Sequence, residues 1–187
     1  MLSRLSSKGF TLIEMVLVII VIGIIGSMAS VILYEGSVVF TDETNRQGFV
    51  SQSRSAFWRL MRNVQGQANP ENFYLSDDKN IFITSGVGEQ RQFRIHESGS
   101  LDLNLGTGTY HSLSDDVSLT GTVGFSYFDK QNYPVDPGGS GLSKEIANEV
   151  HFSRVQVLFK SGQDSLYLDT YIHPINFRFG KKMSYHY

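Results

Sequence analysis

Between Phe10 and Leu33 the chain carries a single ionisable side chain, Glu14, in an otherwise apolar run. At about 1.5 Å of helical rise per residue, that run is long enough to cross a bilayer core of roughly 30 Å. The segment is therefore read as a membrane helix, and it dictates how the rest of the chain is organised. Glu14 opposes that reading, because a charged side chain costs roughly 2.5 to 3.5 kcal/mol at the centre of a membrane helix and less towards its ends. A carboxylate kept at this place needs a partner or a purpose.

Three fates are open to such an N-terminus. An ordinary secretory signal would use the basic residues Arg4 and Lys8, the apolar middle and a small-x-small site at Ser27-Met28-Ala29. The apolar run is longer than such signals use and continues through Val31, Ile32 and Leu33. A plain uncleaved anchor would keep its basic flank in the cytoplasm and place everything after Tyr34 outside. That leaves Glu14 unexplained.

The third fate accounts for the whole stretch. Gly9-Phe10-Thr11-Leu12-Ile13-Glu14, behind a short basic leader, resembles the cleavage motif of type IV pilins and type II secretion pseudopilins. The resemblance implies that prepilin peptidase cuts between Gly9 and Phe10 on the cytoplasmic side and methylates the new amine of Phe10. It further implies that the apolar helix stays on the mature chain and assembles with other pilins at an inner-membrane platform, with Glu14 serving assembly. Once the leader is gone, a positive amine on Phe10 would stand four residues before Glu14, a spacing expected to put both on one helix face. A first-turn carboxylate also meets the positive end of the helix dipole. The amine of a neighbouring subunit could supply the same neutralisation. Many major pilins carry a proline further along this segment, where Val31 stands here.

Beyond the anchor, the 187-residue chain leaves enough for one domain with its own core. The formal charge of -2, lowered by two more when Arg4 and Lys8 leave with the leader, gives no basic surface for nucleic acid. Cysteine is absent, so neither disulfides nor thiolate metal sites are available. Packing alone has to hold the fold.

The apolar residues then thin into a helical period. Phe49, Val50, Ala56, Phe57, Leu60, Met61 and Val64 recur at threes and fours, while Arg46, Arg54, Arg59 and Arg62 fall on other faces. No proline occurs before Pro70, so one helix from about Phe10 to Gln65 is expected. Gly36 and Gly48 weaken it by about 1 kcal/mol each and are the places where it would bend. Gly23 and Gly26, three apart, lack the four-residue spacing of close membrane-helix packing. The stretch Ser53 to Gln65, "SRSAFWRLMRNVQ", resembles the larger minor subunits: J-class pseudopilins, W-class minor pilins and the mannose-sensitive haemagglutinin O subunit.

Downstream the period becomes two. Strands are expected at Ile81 to Ile83, Phe93 to Ile95, Leu101 to Leu105, Val123 to Phe128, Val150 to Phe159 and Leu166 to Phe179, the last two joined as a hairpin through Ser161 to Asp164. Pro134 to Gly141 reads as a flexible loop. The expected fold is α+β and pilin-like: a long N-terminal helix, half membrane-facing and half amphipathic, packed on a single antiparallel sheet. Its divisions are a leader at 1–9, a membrane helix at 10–33, the amphipathic half at 34–66 and a periplasmic β-rich head at 67–187.

No catalytic pattern is present: neither a Gly-x-Ser-x-Gly elbow nor a His-Glu-x-x-His pair occurs, and Gly106-Thr107-Gly108-Thr109 lacks the lysine of a phosphate loop. No enzyme activity and no cofactor are expected. His96, His111, His151 and His173 show no metal-ligand spacing. Asp77-Asp78, Asp115-Asp116 and Asp136 are the candidates for calcium, which loops of some pseudopilins bind, without the alternating ligand loop of an EF hand. Tyr110 and Tyr133 are candidates for an adhesive or saccharide-binding surface. The expected function is a minor pilin or pseudopilin of the inner membrane, then of a pilus or pseudopilus, with membrane lipid, prepilin peptidase and other pilins as partners. The rival reading is a single-pass anchored periplasmic binding or sensor domain.

Overall fold

The computed structural model describes residues 10–121 and 123–179. One helix, α1, runs without interruption over Leu12–Gln65. The chain divides into two units after Gln47. In the first unit the described residues are helical from Leu12 onward, and all of them are exposed, including every apolar side chain of the candidate membrane segment. The second unit holds the end of α1 and everything after it.

In the second unit the amphipathic stripe of α1 is buried. Phe49, Ala56, Phe57, Leu60 and Val64 enter the core, and Val50 and Met61 pack at its margin. This follows from the helical period, since these positions share one face while Arg54 and Arg59 stay in solvent. Ser53, polar yet fully buried on the same stripe, has no hydrogen-bond partner for its hydroxyl among the described residues.

A 3-10 turn, Pro70–Phe73, leads into a first antiparallel sheet of four strands in sequential order: β1 Asn80–Thr84, β2 Gln90–His96, β3 Ser100–Asn104 and β4 Tyr110–Ser114. A second four-stranded sheet has the order β6-β5-β7-β8, built from β5 Gly124–Phe128, β6 Pro134–Val135, β7 Phe152–Ser161 and β8 Asp164–Ile172. A short helix α2, Lys144–Ala147, capped by the Ser143 hydroxyl, links β6 to β7.

The α+β arrangement expected from the periodicities is present, with two sheets where one was expected. The division falls where β5 begins. The segment Asp116 to Ser118 hydrogen-bonds to Leu158 and Lys160 on one half of β7, and β5 takes over along the other half. Gly124, at the first position of β5, has φ +148°, and a Cβ there would lie 2.2 Å from the carbonyl oxygen of Asp78, so only glycine lets the two backbones meet. The Phe125 amide then donates to that carbonyl at 2.9 Å, and Lys79 Nζ donates to Val123 O at 2.8 Å, stitching the sheets together. Tyr127 completes the seam: its buried hydroxyl donates to Asp77 O at 3.0 Å, and burial pushes its pKa well above the usual phenol value.

Three local expectations need correction. The strand expected over Leu166 to Phe179 ends at Ile172 and is followed by a 3-10 turn, Ile175–Phe179, because Pro174 cannot extend the ladder. The loop expected from Pro134 begins with two residues paired to β5, an edge position that tolerates proline. Strand β4 was not expected at all, since its alternation places exposed His111 and Ser112 between Tyr110 and the half-buried Leu113.

The hairpin of β7 and β8 turns through Gly162, φ +58°, and Gln163. On its outer face Arg154 forks onto Asp169 at 2.9 and 2.5 Å, holding the Asp169 carboxyl below the usual carboxylate range. A depressed carboxyl stabilises the fold above the unfolded-state pKa of about 3.9, and that contribution disappears as pH falls through the lower folded value. The stability difference between wild type and Asp169→Asn is therefore expected to be present at pH 7 and to shrink below pH ~4, as read from denaturant midpoints. Leu60→Ala, at a fully buried position, is expected to cost about 2 to 5 kcal/mol in the same assay. A chain beginning at Tyr34 is expected to be soluble and folded, with a melting temperature that a chelator does not change.

Candidate processing and assembly site

The site expected at the N-terminus comprises Gly9, Phe10 and Glu14. Gly9 lies outside the described residues. Phe10 precedes α1 and is 78% exposed. Thr11 is the last residue before the helix, and Glu14 lies in the first turn.

The geometry around Glu14 is a capping box. Its Oε2 accepts from the Thr11 amide at 2.8 Å and from the Thr11 hydroxyl at 2.9 Å, and the Glu14 amide approaches Thr11 Oγ1 at 3.4 Å. The first amides of any helix have no intrahelical acceptor, and in lipid no water replaces it. Thr11 and Glu14 thus satisfy polar groups at the end of the helix where they are hardest to satisfy, and the helix dipole favours the carboxylate there.

The pairing of Phe10 with Glu14 was expected of the cleaved chain; with residues 1–9 attached, Phe10 stands outside the helix and the carboxylate folds back onto Thr11. The signal was present in the sequence: Thr11-Leu12-Ile13-Glu14 has the spacing of a capping box ahead of an apolar run. The carboxylate still points towards the chain start, with Oε1 not engaged by Thr11.

The other candidates lie apart from one another. Asp77 Oδ1 accepts from the amides of Lys79 and Asn80, Asp115 accepts from the Ser112 hydroxyl and Asp136 from the Gly138 amide, so each shapes its own turn. No group of three or more metal-ligating side chains is brought together among the described residues. His151 and His173 approach with ring centroids 6.2 Å apart, beside the stacked rings of Phe128 and Phe152, a neighbourhood that strand pairing creates and spacing does not reveal. Tyr110 lies under the guanidinium of Arg94 at 3.8 Å, and Tyr133 is exposed.

An apolar helix starting at a capped carboxylate, followed by a β-rich unit, fits the layout of a membrane-anchored, pilin-like chain. Residues 4–30 match the family model of the prokaryotic N-terminal methylation motif. That match supports a type IV pilin-like chain and a pilin- or pseudopilin-type substrate of prepilin peptidase, and it spans Gly9, Phe10 and Glu14. The family of this motif is structural rather than enzymatic. Comparison with curated proteins and with solved structures gave no match.

Thr11→Ala removes the hydroxyl and leaves the carboxylate to hold the Thr11-position amide alone. Glu14→Leu removes both bonds to the carboxylate. Amide hydrogen exchange of the first helical turn in micelles is expected to speed up modestly in the first variant and by about tenfold or more in the second, matching a cap worth roughly 0.5 to 2 kcal/mol.

Proposed function

We propose that this chain is a minor pilin or pseudopilin, a structural subunit of a type IV pilus or type II secretion pseudopilus. Its leader, 1–9, is removed between Gly9 and Phe10, and the Phe10 amine is methylated. Residues 10–33 span the inner membrane, 34–66 continue the helix, and the head over 67–187 stands in the periplasm. An inner-membrane platform then draws the subunit from lipid into the filament, where helices of neighbouring subunits pack together.

The observation that carries this reading is the methylation-motif match over residues 4–30. Glu14 is kept at the start of a segment that otherwise has no charge, and its carboxylate faces the chain start. In the filament the amine at the start of a neighbouring helix engages this carboxylate, so two charges that would each be costly in an apolar surrounding neutralise one another. The capping box holds the carboxylate in place until that partner arrives.

Glu14→Leu removes the charge from the apolar run, so membrane insertion is expected to remain intact. Assembly is where the loss is expected. At matched membrane levels, crosslinking or copurification with the other pilins of the same cell should fall sharply for Glu14→Leu and less for Glu14→Gln, which keeps a hydrogen-bonding oxygen. Wild-type recovery of the Glu14→Leu complex would overturn the pairing role. A chain that stays uncleaved and joins no filament would instead favour an anchored binding or sensor domain.

A further inference from the structure

The first sheet carries a groove of about 530 Å³ on the face where β1, β2 and β3 meet the turn after Phe73 and the start of α2. We propose that this groove binds a short neutral saccharide.

Its floor is set by strand register. Phe82, Gln92 and Asn104 are cross-strand neighbours and form one row, with Thr84 and Gln90 forming the next. The side-chain amides of Gln90 and Gln92 have no partner among the described residues. Asn104 is almost fully buried, and its Oδ1 accepts from the amides of Gly106 and Gly108, which leaves its NH₂ as the group available to a ligand. An amide donates and accepts side by side, as the hydroxyls of a sugar do. The rings of Phe82 and Tyr74 supply apolar surface for the C–H face of such a ring.

The wall is held in a strained conformation. Leu75, which lines the groove and is 44% exposed, has φ +66°, a region that bulky residues rarely adopt. Its amide donates to Leu142 O at 2.9 Å, and Gly141 packs so closely that a Cβ would lie 2.6 Å from Leu75 O. These backbone contacts fix Leu75 in the groove wall, and a fixed wall is the preorganisation that a binding site uses.

Charge and backbone pairing narrow the ligand. Glu71 and Lys144 bring opposite charges, the Lys144 ammonium lies 5.5 Å from the Tyr74 ring centroid, and Arg91 is held by Glu89 and Asn63. No net charge selects an anion or a cation. An extended peptide would seek the free edge of β1, but that edge is taken. Ser76 Oγ accepts from the Phe82 amide, Gln67 Oε1 accepts from the Thr84 amide, Gln67 Nε2 donates to Phe82 O, and the Ala68 amide donates to Thr84 O. Recognition therefore falls to side-chain amides and rings, and the volume lies within the range of small-ligand sites, roughly 300 to 1,000 Å³.

The test uses the full chain in phosphocholine micelles, free of sugar detergent, and saturation-transfer NMR. The probes are the methyl glycosides of the common neutral hexoses and N-acetylhexosamines and their disaccharides. At least one is expected to bind, with affinity unchanged by added salt. Gln92→Ala and Tyr74→Ala, surface changes expected to leave the melting temperature in place, should each weaken it by about tenfold. Tyr133→Ala, away from the groove, should not. The proposal is overturned if no probe binds, if binding ignores Gln92 and Tyr74, if only acidic sugars bind and are released by salt, or if an extended peptide occupies the groove instead. None of these outcomes depends on filament assembly, so the role proposed for Glu14 stands or falls separately.

Discussion

Burial of one helical stripe, Phe49, Ala56, Phe57, Leu60 and Val64, holds the last part of α1 to the sheets of the second unit. The same helix is apolar all round before Leu33 and one-sided after Gly48. A helix that is apolar all round needs a surrounding that is itself apolar, whereas a one-sided helix needs a partner for one face only. The two sheets provide that partner, with Ile81, Ile83, Phe93, Leu101 and Leu103 from the first and Phe125, Val155, Val157 and Phe159 from the second in one core. With no cysteine, this contact is what anchors the β-rich unit to the helix.

Much of this was legible because it rests on periodicity. The stripe on α1, the alternation of β7 and β8 and the turn at Gly162 could be read directly, since burial selects side chains at fixed intervals. What escaped reading depends on contacts between distant segments. Strand β4 offers little apolar alternation, and β6 is two residues long. Gln67 looks like an ordinary polar residue after a helix, yet it is fully buried because its amide closes the edge of β1. Nothing in its neighbourhood in the sequence announces that role. The division into two sheets hinges on Gly124, whose need to be glycine shows only when Asp78 is placed against it.

At the N-terminus the sequence supplied both a motif and a physical puzzle, and the geometry adds a term to its solution. A carboxylate near the end of a membrane helix was expected to answer to an amine. It already answers to Thr11, whose amide would otherwise be left without an acceptor. The cap is compatible with the pairing proposed for the filament, because Thr11 engages one oxygen and leaves the other for the amine of a neighbouring helix. They also predict different losses: a cap is restored by any acceptor at position 14, whereas pairing with a cation favours a charge.

The central claim is that the working protein begins at Phe10, two residues ahead of α1. Mass spectrometry of the N-terminal peptide, taken from membranes of cells with an active prepilin peptidase, tests it most directly. The account predicts a peptide starting at Phe10 that carries one added methyl group on its amine. Recovery of the intact chain through Met1 to Gly9, or of a peptide starting after Ala29, would contradict it.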